Sequence, residues 1–197
     1  MGNLAWHQKH GRLSLDQYLE FLETRPEEER WQLIDGVAVM MTPPSFFHQR
    51  IAKNLIRQLD LALEKHRPDL IALYEAGLIT PGYEDFRPEA DVVVVDSELD
   101  EAAGRSSYNE RFYLVAEVLS PSNREEYIDI KRARYTANPH NLYCLIISQS
   151  EMQVEVLARA NDWRAEVLVD PGDLVRLAEF GFECEVRAIY QGTPLVR

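Results

Sequence analysis

The alternation of apolar and polar positions predicts a mixed α/β chain. Residues 13–22 repeat apolar positions at helical spacing, with Ser14 placed to cap the first turn. Pro26 and the run Glu27, Glu28, Glu29 then mark a solvated connection. Residues 31–41 form two short apolar stretches about Asp35-Gly36, a dipeptide suited to positive φ, so they predict a hairpin that Pro43, Pro44 and Ser45 stop. The longest helix is predicted over Phe46–His66, where Ile51, Leu55, Leu59 and Ala62 share one face and Arg50, Lys53 and Arg57 the other. Asp60 and Glu64 continue the polar face, which favours a solvated surface over a phosphate-binding stripe.

Farther along, residues 72–80 predict a strand and 81–85 a loop. Two runs, 88–95 and Phe112–Leu119, are apolar almost throughout and predict strands buried on both faces. The polar segment 96–110 between them predicts a mobile loop. Glu125–Ala137 predicts a helix, Asn138-Pro139 its end, and 142–147 a further buried strand. Residues 152–158 and 164–169 alternate as an antiparallel pair, and after the turn at Pro171-Gly172-Asp173 a short amphipathic stretch runs to Tyr190.

Three charged residues stand out against this pattern. Asp91 and Glu117 lie inside the two apolar strands, where an ionised carboxylate pays a heavy desolvation cost unless a cation or hydrogen-bond donors meet it. A divalent metal held between the strands would answer for both. Lys131 shares its helix face with Ile128 and Tyr135 at i, i+3 and i+7, so its amine is directed at the sheet and calls for a carboxylate. Taken singly, strand-end acids and snorkelling lysines are ordinary structural features; the order strand acid, strand acid, helix lysine is what points to a site. His48, in the first turn of the long helix, either reaches that site or closes the loop before it.

Composition narrows the picture. A chain of 197 residues with 46% hydrophobic content fits one domain over 1–197 with its core at about 46–148. The net charge of −12, from 33 acidic and 21 basic residues, repels polyanions, so nucleic-acid contact must be local or metal-bridged. Cys144 and Cys184 lie in apolar surroundings without metal-ligand spacing and are expected to be reduced core residues. The first residues include Trp6, His7, Lys9 and His10 where a signal peptide would have an apolar core, and no apolar run approaches the ~20 residues that span a bilayer. A cytoplasmic location without membrane contact is expected.

Five blocks carry a family resemblance: Trp31-Gln32-Leu33-Ile34-Asp35-Gly36; Pro43-Pro44-Ser45 before His48; residues 88–95; Glu117-Val118-Leu119-Ser120-Pro121-Ser122; and the helix with Lys131 and Tyr135 four apart. Over residues 13–190 they resemble the Uma-two family of restriction-endonuclease-like proteins, a bacterial branch of the PD-(D/E)xK nuclease superfamily. The resemblance implies a restriction-endonuclease-like core, a central mixed sheet flanked by helices, with additional N- and C-terminal strands. It implies a DNA endonuclease in which Asp91 and Glu117 ligate Mg2+, with Mn2+ as substitute and the backbone carbonyl of Val118 as third ligand. The usual superfamily lysine would fall at Leu119; Lys131 takes its place, and Gln32, His48 and Tyr135 are auxiliary. Cutting both strands with one site per chain implies a homodimer.

The chain departs from the family at Gln32, commonly Glu, at Tyr127, commonly acidic, and at Tyr143-Cys144 with Ser148, commonly Tyr-Trp and a later acid. Glu125, Glu126 and Asp129 surround the missing acid at different helical angles. These departures and the acidic composition support a second reading, a nuclease-fold module used for binding protein or nucleic acid. Paired carboxylates acting on a glycoside rank last, since no aromatic-rich sugar platform is present.

Overall fold

A computed structural model describes residues 11–99, 101–120 and 125–196. Trp6, His7, Lys9, His10, Pro121 and Ser122 lie outside the described residues. Helix α1 (Leu15–Glu23) opens with a capping box between Ser14 and Gln17. The hydroxyl of its buried Tyr18 donates to the Trp31 carbonyl at 2.8 Å, docking the helix on the hairpin β1 (Trp31–Ile34) and β2 (Val37–Met40). The hairpin turns at Asp35 and Gly36 with φ of 52° and 76°, the left-handed pair expected of that dipeptide.

Helix α2 (Phe46–His66) is capped by Ser45, whose hydroxyl accepts from the His48 N–H. Its buried stripe is wider than the four-residue face read from sequence: Ile51, Ala52, Leu55, Ile56, Leu59 and Leu63 are all buried, while Ala62 sits at the margin. The chain then enters β3 (Leu70–Leu78), β4 (Glu89–Asp96), α3 (Glu101–Arg105), β5 (Tyr108–Asn109) and β6 (Phe112–Leu119). Helix α4 (Glu125–Ala137) crosses to β7 (Tyr143–Ser148), which lies parallel to β6. Strands β8 (Val154–Ala158) and β9 (Ala165–Leu168) follow, and the seven strands form one mixed sheet in the order β5-β3-β4-β6-β7-β8-β9.

One expectation needs correction. The segment 96–110 is not simply a loop: it contains α3, and β5 adds to the edge of β3 in parallel. That contact depends on Gly77, because a Cβ there would lie 2.4 Å from the Ser107 carbonyl oxygen. The C-terminal amphipathic stretch resolves into a hairpin, β10 (Leu174–Leu177) with β11 (Phe182–Glu185), followed by the single turn α5 (Val186–Ile189).

The sheet separates two apolar layers. On one face α2 packs with β10, β11 and α5, where Phe180, Val186, Ile189 and Tyr190 are fully buried. On the other, α4 packs with Ile34 of β1 and Phe86. Cys144 and Cys184 are free and buried in opposite layers, as expected of reduced core residues. No helix among the described residues is long and apolar enough to cross a membrane.

Candidate active site

The site lies where neighbouring strands part. β4 and β6 pair as far as Val92 and Ala116, and one step beyond, the Asp91 carboxylate, not the β4 backbone, accepts the Val118 N–H, with Oδ2 at 2.6 Å. On the other side of β4, the ladder to β3 pairs Tyr74 with Val92 and Ala76 with Ala90 but skips Glu75 and Asp91. Glu75 takes a left-handed backbone, φ 45°, unusual for a residue with a side chain. Both strands invert their facing there. Leu70 and Ala72 of β3 and Val92 and Val94 of β4 pack in the α2 layer, while Ala76, Leu78 and Ala90 pack in the α4 layer.

This inversion turns Asp91 toward α2. His48 Nε2, one turn into that helix, lies 3.0 Å from Asp91 Oδ1. Glu117 projects into the α4 layer, only 5% exposed, where Lys131 Nζ stands 3.0 and 3.1 Å from its two carboxylate oxygens. The Tyr135 hydroxyl donates to Glu117 Oε1 at 2.6 Å, and Lys131 also donates to the Glu89 carbonyl at 3.4 Å. Lys131 therefore does not snorkel. It is 4% exposed and faces inward, the direction its helical phase predicts. His48, Asp91, Glu117 and Lys131 border a cleft of about 990 Å3 whose far wall is the β1–β2 hairpin with Met41, Pro43 and Pro44.

The Uma2 family profile, "Putative restriction endonuclease", matches residues 15–187. The chain belongs to the Uma2 family. The fold agrees with a crystal structure of a "putative nuclease belonging to DUF820" from Anabaena variabilis, at a TM-score of 0.73 and 17% identity, covering 90% of this chain and 97% of that one. No curated protein matches the chain.

In this Uma2 protein, burial pushes the Glu117 pKa up; the Lys131 charge opposes that rise and the Asp91 charge adds to it. For His48, burial alone would lower the pKa, but the hydrogen bond and charge of Asp91, with Glu117 and Glu75 behind it, leave the imidazole raised. Burial and the adjacent Glu117 hold the Tyr135 hydroxyl well above the ordinary phenol range, so it is a donor throughout the working pH range. Gln32 lines the cleft and its Oε1 accepts the Glu89 N–H at 3.4 Å, tying the hairpin to the start of β4.

Residues that sequence reading passed over complete the wall. Arg30 binds Glu75 at 2.9 Å and also pairs with Glu89. Glu75 had no signal in the sequence, because a left-handed backbone at a residue other than glycine leaves no mark in residue type. Arg30 follows an exposed acidic run that reads as solvated connection until β1 folds it over the end of β4.

Proposed function

We propose that this Uma2 protein is a Mg2+-dependent endonuclease that hydrolyses phosphodiester bonds of DNA, with Mn2+ as substitute cation. The observation that carries the reading is the convergence of Asp91, Glu117 and Lys131 where β4 and β6 part, beside an open cleft.

The donor chemistry suits such an ion. Asp91 and Glu117 are hard oxygen donors, and with the Val118 carbonyl they would hold Mg2+ or Mn2+, water completing the shell. Each Asp91 oxygen accepts one of the described hydrogen bonds and Glu117 Oε2 accepts one, so each keeps a second lone pair. Among the described residues, no three His, Cys, Asp or Glu side chains are grouped to hold a metal, so the set rests on two carboxylates and a carbonyl. When bound, the ion would neutralise the scissile phosphate and lower the pKa of a bound water.

The protein's own groups supply the rest. Lys131 is held by both Glu117 oxygens and the Glu89 carbonyl, so its charge is fixed before substrate arrives, ready to meet the negative charge that develops on the phosphorus oxygens. Tyr135 fixes the Glu117 carboxylate, and His48 holds Asp91 from the α2 side. Two copies of the chain, each with one site, would cut both strands.

The test is cleavage of supercoiled and linear plasmid DNA with Mg2+ or Mn2+, alongside calorimetric titration of Mn2+. The expected result is chelator-sensitive cleavage and saturable Mn2+ binding by the wild type, both lost in Asp91→Asn. Equal cleavage by Asp91→Asn would overturn the assignment. The second reading, a binding module, is favoured by Gln32 and by the pairing of both carboxylates with His48 and Lys131. Absence of both cleavage and Mn2+ binding in the wild type would select it.

A further inference from the structure

A smaller cavity of about 270 Å3 opens beside Asp91 on the α2 side of the sheet. Pro44, Gln49, Ala52 and Lys53 form one wall, Tyr74 and Glu75 the other, and Asp91 and His48 border both this cavity and the main cleft. In a regular strand, Tyr74 and Glu75 would project to opposite faces. The left-handed backbone at Glu75 sets both along the same cavity. Backbone strain of this kind persists only where surrounding structure enforces it, and here it shapes a pocket wall next to a proposed catalytic carboxylate.

We propose that this cavity is a subsite for one unpaired nucleobase of the strand whose phosphodiester lies at Asp91 and Glu117. The proposal rests on the nuclease reading and deepens it by naming the form of substrate. Tyr74 is 49% exposed and offers an aromatic ring on which a base can stack, with apolar Pro44 and Ala52 on the opposite wall. The Gln49 amide carries both donors and an acceptor for the base edge, and Lys53 offers a cation to a flanking phosphate. The volume lies just under the ~300 Å3 at which pockets for drug-sized ligands begin, which suits a single base.

Charge favours the same occupant. Glu28, Glu29, Glu75, Glu89, Asp91 and Glu117 outnumber Arg25, Arg30 and Lys131 along the cleft, in a chain of net charge −12, so a duplex gains little from backbone neutralisation. Stacking of an unpaired base gives affinity that does not depend on a basic surface.

The experiment measures fluorescence anisotropy of a labelled thymidine tetranucleotide, of the same sugar-phosphate tetramer without bases, and of a DNA duplex, with Ca2+ present. Wild type is expected to bind the tetranucleotide more tightly than the abasic tetramer. Tyr74→Ala is expected to weaken tetranucleotide binding about 5- to 150-fold, as for loss of one stacking contact, and to leave abasic binding unchanged. Tyr74→Phe keeps wild-type affinity, and Gln49→Ala lowers it in the same base-dependent way. Wild type that binds both tetramers equally, or Tyr74→Ala that loses equally on both, overturns the subsite. If that wild type still binds or cuts duplex, the nuclease reading stands; if it binds no nucleic acid at all, both fall.

Discussion

Lys131 and Glu117 form a buried ion pair, with the ammonium 3.0 and 3.1 Å from both carboxylate oxygens and each side chain about one-twentieth exposed. Such a pair adds little over an apolar replacement of both partners, but removing one leaves a buried charge uncompensated, which costs ~3–5 kcal/mol.

Lys131→Met is accordingly expected to destabilise the protein by about 3 kcal/mol at pH 8. The cost depends on pH in a fixed direction. Burial already raises the Glu117 pKa, and loss of the Lys131 charge raises it further. The native carboxyl then keeps its proton at pH values where the unfolded chain has released it. The added cost is absent below the unfolded value of about 4.3, grows as pH rises from there to the folded value, and is constant above it. Urea unfolding at pH 5 and pH 8 checks this: equal losses would mean that packing, not charge, is what the lysine supplies. Adding Glu117→Gln to Lys131→Met should recover much of the loss at pH 8, since no buried charge remains.

Tyr135→Phe removes the hydroxyl that donates to Glu117 Oε1 at 2.6 Å and keeps the ring between Phe86 and Phe112. A hydrogen bond to a charged group is worth ~1.5–3 kcal/mol, and the variant should lose about that much in denaturant unfolding. Core packing should survive, so the near-ultraviolet circular dichroism outside the tyrosine band should match wild type. A loss well under 1 kcal/mol would show that Lys131 alone satisfies the carboxylate.

Glu75 offers a prediction of opposite sign. Its φ of 45° is costly for a residue with a Cβ, and its partner Arg30 is half exposed, so the ion pair is worth only ~0–1 kcal/mol. Glu75→Gly should therefore leave stability unchanged or raise it by up to about 1 kcal/mol. Glu75→Val, with a branched Cβ in the same backbone, should lower it by about 1–2 kcal/mol. Thermal unfolding of the two variants decides; equal destabilisation would mean that the carboxylate, not the backbone, holds this corner.

Much of this protein follows from local pattern. The apolar period places α2 at Phe46–His66 and α4 at Glu125–Ala137, and the bounds of β6 at Phe112–Leu119 follow from its continuous apolarity. Periodicity alone set Lys131 on the face of Ile128 and Tyr135, and the rarity of acids in buried strands marked Asp91 and Glu117. Each of these signals is carried by residues within one element, where spacing and side-chain type determine which way a group points.

The rest depended on contacts between elements far apart in sequence. β5 forms only because Gly77 lets Ser107 and Tyr108 approach, and the β10–β11 hairpin is held by an apolar layer that α2 supplies. The inversion at Glu75 and Asp91 is a property of two strands paired in one register, and from it follow the meeting of Asp91 with His48 and the cavity beside Tyr74. Sequence by itself determined which groups are charged and which way each faces within its own helix or strand. Only the tertiary structure decided which of them meet, because that depends on where strands part and on a backbone conformation that no residue type announces.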